Sequence, residues 1–178
     1  MAGIVCAMVA VSICGCSEKP AQSSASESSV TSDAGSVSES VSEASDSSTA
    51  TGTAAEITAK IKQDVKFPGM AEIGADRMAG YYDVAADKID SYSAYICGSG
   101  AYPDEIAVFK MKSADDVNAV KSVLEKRVES QSATFKDYTP DEMYKIDGNN
   151  VVTSGNYVAL IICADNAKAI EDFKAMAK

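Results

Sequence analysis

Apolar positions are spread unevenly along the chain: residues 4–13 form one run broken only by Ser12, residues 17–55 hold few, and from Glu56 onward they recur with helix and strand periods. In the last part, Ile57, Ile61 and Val65 return every four residues and predict an amphipathic helix ending near Phe67-Pro68-Gly69. A second short helix is predicted over about 74–82. Residues 89–97, rich in Tyr and Ile and broken by Gly98-Ser99-Gly100, read as a strand. A second strand covers 105–111, where Ile106 and Val108 alternate with Ala107 and Phe109.

Ser113 with Asp116 reads as a capping box opening a long helix. Its apolar stripe is Val117, Val120, Val123, Leu124 and Val128, with Lys121, Glu125, Lys126 and Glu129 on the wet side. Thr139-Pro140-Asp141-Glu142 repeats the start signal for a short helix through Ile146, stopped by Asp147-Gly148. Residues 150–153 and 157–164 are two strands joined at Ser154-Gly155-Asn156, a hairpin signal. Asp165 caps a last helix with Ile170 and Phe173 facing inward. The order suits an α+β fold: a mostly antiparallel sheet of about four strands with helices packed on one face.

The first run is about half the roughly 20 residues that a membrane-spanning helix needs, and it fits the apolar core of a signal peptide. It closes on Ile13-Cys14-Gly15-Cys16, an aliphatic residue, two small residues and a cysteine. That pattern is expected of a lipobox, with residues 1–15 removed and Cys16 carrying the lipid. Two acyl chains at about 0.8 kcal/mol per buried methylene would give stable attachment. No Lys or Arg precedes Ile4, so the true start is expected upstream of Met1. A cleaved secretory signal that frees a soluble protein is the plainer alternative.

Residues 16–55 then read as a lipid-anchored Cys and a Ser-rich tether without aromatic residues, unable to form a core and reaching roughly 35 Å as a coil. Residues 56–178 make one α+β domain of roughly 120 residues. The net charge of −10 is split about equally between tether and domain and argues against nucleic acid, whose binding rests on Lys and Arg. Only Cys97 and Cys163 belong to the domain, and both lie in apolar runs; a disulfide and two small core residues are both compatible with this.

The chain contains no His, which removes Ser-His-Asp and Cys-His catalysis and every His-containing zinc site. No cofactor is expected. Of the carboxylate pairs, Asp115-Asp116 and Asp141-Glu142 sit in helix first turns, where acids complement the dipole. Asp104-Glu105 opens a strand, where neighbours point to opposite faces and cannot share a proton. Asp83, Asp87 and Asp90 lack the spacing of a calcium loop. Tyrosine is in excess, with eight Tyr, four Phe and no Trp. A binding surface is therefore expected around Tyr95 and Tyr102, which flank the glycine-rich loop, together with Asp104 and Glu105.

The segment 104–110, the long helix after it and Gly155-Asn156-Tyr157 through Ile162 resemble a family of small lipoproteins from Gram-positive anaerobes, known only as a domain of unknown function. The resemblance implies no activity. The expectation is a membrane-anchored lipoprotein on the extracytoplasmic side of the cell membrane, a non-catalytic binding or accessory module of the envelope. Its partners would be the membrane, through the lipid on Cys16, and an envelope protein, a glycan or a small solute. A carboxylate-based glycan-processing enzyme and a structural or inhibitory interaction domain are the alternatives.

Overall fold

The computed structural model describes residues 51–178. Cys16, the apolar run before it and most of the expected tether lie outside the described residues. The fold starts slightly earlier than the expected boundary at 56, because helix α1 (Ala54–Asp64) is capped by Thr53 in a reciprocal capping box with Glu56. There follow β1 (Met70–Glu72), α2 (Ala75–Tyr81), β2 (Ile89–Cys97), β3 (Glu105–Met111), α3 (Val117–Tyr138), β4 (Val151–Ser154), β5 (Tyr157–Ile162) and α4 (Asn166–Met176).

The strands form one antiparallel sheet in the order β1-β2-β3-β5-β4. The fold is α+β with five strands, not four. The added strand, β1, is three residues long and pairs with the outer edge of β2, Met70 opposite Cys97. Two tight connections behave as the sequence implies: Gly155 turns the β4–β5 hairpin at φ 52°, and Asp165 accepts the Lys168 N–H to start α4. The capping box at Ser113 does not form. Ser113 Oγ accepts from Asp115 N instead, and a 3-10 turn at Ala114–Asp116 leads into α3. The short helix after Thr139 is also 3-10, Pro140–Lys145.

Helices cover both faces of the sheet, not one. On the first face Ala107, Phe109, Val158, Leu160 and Ile162 pack with Met78 of α2 and with Val117, Val120 and Leu124 of α3. On the second, Ile106, Val108, Ala159 and Ile161 pack with Ile57 and Ile61 of α1 and with Ala169 and Phe173 of α4. The physical reason lies in β3 and β5. All six residues of β5 are buried, so both of its faces need an apolar cover. A one-sided sheet would leave every second residue of Tyr157–Ile162 in water, at about 2 kcal/mol for each large side chain.

Candidate functional site

Alternation along β3 separates Asp104 from Glu105 and sends them to different layers. Glu105 is fully buried beneath α3. Its Oε1 accepts from Tyr82 Oη at 2.8 Å and from Arg127 Nε at 3.2 Å, while Oε2 accepts from Arg127 at 2.9 Å and Gln131 Nε2 at 2.6 Å. Burial, reinforced by Glu105, pushes the Tyr82 phenol well above its ordinary range. Burial opposes the Arg127 charge, but the bonds to Glu105 outweigh it and raise that group. Such a carboxylate, with both oxygens doubly bonded, is a structural joint between β3, α2 and α3.

Asp104, 2 % exposed, faces another way. Its Oδ2 accepts from Lys145 Nζ at 2.7 Å, and its Oδ1 is buried with no partner. Glu142 Oε2 lies 2.6 Å from the same ammonium as an ion pair, without the alignment of a hydrogen bond. Lys145 is itself 6 % exposed, and its backbone is pinned because its carbonyl accepts from both Asn150 Nδ2 and Asn166 Nδ2. Burial opposes its charge, yet the hydrogen bond to Asp104 and the nearby Glu142 carboxylate hold the ammonium above the ordinary lysine range. The rings of Tyr102 and Tyr144 lie 5.5 and 5.9 Å from Nζ, close enough for cation–π attraction.

This cluster floors an open groove of about 430 Å³ lined by Lys66, Phe67, Pro68, Tyr102, Asp104, Glu142, Lys145 and Ala164. The apolar wall comes from the chain between α1 and β1, the charged floor from the start of β3 and the 3-10 segment after α3. Of the four residues expected to form a binding surface, the groove contains Tyr102 and Asp104. Glu105 is on the opposite face of the sheet. Tyr95 is spent on Lys62 of α1, whose ammonium lies 3.4 Å from the ring centre. Lys66, Phe67, Glu142 and Lys145 were not foreseen: Glu142 reads as an acid in a helix first turn, and Lys145 meets Asp104 only through a separation of 41 residues.

The two cysteines are free and buried. Burial pushes the Cys163 thiol up to about 11. Cys97 is lowered: burial works against this, but hydrogen bonds from Ser99 and from the backbone at Tyr102 and Ala101 outweigh it. Among the described residues no group of three or more acids and cysteines is placed to hold a metal ion, and no helix is long and apolar enough to cross a membrane.

Residues 63–163 match the model of the family described as a domain of unknown function, DUF4358. The chain belongs to that family. The DUF4358 match takes in the whole sheet, both buried carboxylate clusters and all of the groove lining but Ala164, and leaves out most of α1 and all of α4. No curated protein and no solved structure matches the chain.

Proposed function

We propose that this DUF4358 protein is a membrane-anchored extracytoplasmic lipoprotein, held by lipid on Cys16, whose domain is a binding or accessory module of the cell envelope of a Gram-positive anaerobe. The groove at Tyr102 is its contact site. The observation that carries the binding reading is the composition of that groove: Phe67, Pro68 and a 42 % exposed Tyr102 stand over the buried Lys145 ammonium and the partly exposed Glu142 carboxylate. An apolar wall above a few fixed polar groups is the usual make-up of a small-ligand or glycan site.

An envelope protein, a wall glycan and a small solute are the partners to be separated by experiment. The full chain, expressed with a complete signal peptide, is challenged with wall glycan fragments, solute panels and envelope proteins, beside Tyr102→Ala. At least one class should bind the wild type and be lost in the variant; a wild type that binds none of them sinks the reading. The anchor has its own test, since Cys16→Ala should lose labelled fatty acid and leave the membrane fraction.

The glycan-processing alternative draws on Asp104 and Glu142, whose oxygens lie within 2.7 Å of one nitrogen. A hydrolytic pair needs one carboxyl to carry a proton and the other to face water or the sugar. Here the Lys145 ammonium occupies the space between them, which favours binding over hydrolysis.

A further inference from the structure

We propose that Lys145 and Asp104 become covalently joined: an amide bond forms between Lys145 Nζ and Asp104 Cγ, with Glu142 carrying the proton. It needs no ligand, and it would replace the Lys145 charge on the floor of the groove by a neutral amide, leaving Glu142, Tyr102 and the apolar wall for binding.

The reacting groups are already in contact. Nζ lies 2.7 Å from Asp104 Oδ2, and the two side chains are 8 % and 1 % exposed. Glu142 Oε2, at 2.6 Å from Nζ, is the base within reach. The two asparagine amides that bind the Lys145 carbonyl keep the backbone from swinging the amine away. In water, joining an ammonium to a carboxylate is opposed by the hydration that both ions lose. Here that hydration is already gone, and Asp104 Oδ1 has no hydrogen bond to replace it. Holding the two groups in contact is worth an effective concentration of about 10⁵ to 10⁸ M in favourable cases, far above what free amines and acids meet.

The step balances without an oxidant, a reductant or a second substrate. Glu142 takes one of the three protons of the ammonium, which the neighbouring anions otherwise hold in the charged form, and passes it to Asp104 Oδ2, so that a neutral amine meets a neutral carboxyl. The freed nitrogen lone pair attacks Cγ and forms the C–N bond. A second proton passes from the nitrogen through Glu142 to Oδ2, the C–Oδ2 bond breaks, and one water leaves through the groove. One proton stays on the amide nitrogen, Oδ1 becomes the amide oxygen, and the buried charge pair is gone.

The result would tie the start of β3 to the segment after α3 across 41 residues. It would do so in a domain whose two cysteines are not bonded to each other. The full chain, purified from cells and denatured, is digested with trypsin and mapped by mass. Wild type should yield a branched peptide joining the Asp104 and Lys145 segments, one water lighter than the sum of the linear ones, with no cleavage after Lys145. Lys145→Arg and Asp104→Ala should yield linear peptides. Glu142→Gln keeps the Lys145–Asp104 ion pair and should also stay linear; its native circular dichroism shows that loss of the branch is not loss of the fold. Wild type that gives only linear peptides, cut after Lys145, overturns the proposal, and a branch that persists in Glu142→Gln overturns the role of Glu142.

Discussion

Asp104 and Glu105 are neighbours in sequence, equally buried and both ionic, yet they are held in opposite ways. Glu105 has four hydrogen bonds, from Tyr82 at the end of α2 and from Arg127 and Gln131 of α3, and is sealed under α3. Asp104 has one partner, one orphaned oxygen and an open groove beside it. The contrast teaches that burial does not by itself distinguish a structural charge from an available one. What distinguishes them is whether the donors around the group exhaust its lone pairs.

The largest effect should come from Glu105→Gln. The side-chain amide would turn one acceptor into a donor facing Tyr82, Arg127 and Gln131 and leave the Arg127 charge without its partner. Breaking a buried pair in this way costs about 4 kcal/mol, read as a lowered urea midpoint. A loss below 1 kcal/mol would mean that the cluster is open to water and the contrast with Asp104 is false.

Tyr82→Phe removes one donor to a charged acceptor and should cost about 2 kcal/mol. It also changes the response to alkali. Tyr82 has a folded pKa raised above its ordinary value of 10.0, so its contribution is whole below about pH 10 and is lost as the pH rises beyond it. Wild type should therefore lose stability above that pH more steeply than Tyr82→Phe. Parallel stability curves for the two would contradict the burial of this phenol.

Asp104→Asn should be the mild counterpart of Glu105→Gln, at most about 1 kcal/mol, because the oxygen it replaces has no partner to lose and Lys145 keeps Glu142. An asparagine there can also be attacked by Lys145, releasing ammonia in place of water, and would end in the same amide. An effect as large as that of Glu105→Gln would erase the distinction between the two sites.

The smallest effect is kinetic. Cys163 shares the Asp104 face and is raised to about 11, whereas Cys97 is lowered, so an alkylating reagent near pH 8 should label Cys97 first. The reverse order would show that the Cys163 face opens more readily than its packing implies.

Most of the fold can be read from local pattern. The stripe from Val117 to Val128, the alternation over 105–111 and the Ser154-Gly155-Asn156 turn each carry their own period or turn chemistry. β1 carries neither: Met70-Ala71-Glu72 becomes a strand only because β2 offers it an edge. The two-sided cover of the sheet has a visible sign, the unbroken apolar run 157–163, in which a one-sided strand would show polar residues at every second place. At the site, Tyr102 and Asp104 stand out beside a glycine-rich loop. Lys145 could not, since an ion pair across 41 residues leaves no local trace, and the acid of Glu142 is equally well explained by a helix start.

The ends of the described fold meet. Gly52 N–H donates to Met176 O, Thr51 Oγ1 to Lys178 O, and Tyr157 Oη to the Gly52 carbonyl. Cutting the loop at Gly155 and splicing Lys178 to Thr51 would thus reorder the chain with little change in its path, since the splice spans a gap that is already closed. Mechanically, a pull applied ahead of Thr51 is taken up at once by β5 and α4, and so reaches an interior strand of the sheet without first unwinding α1.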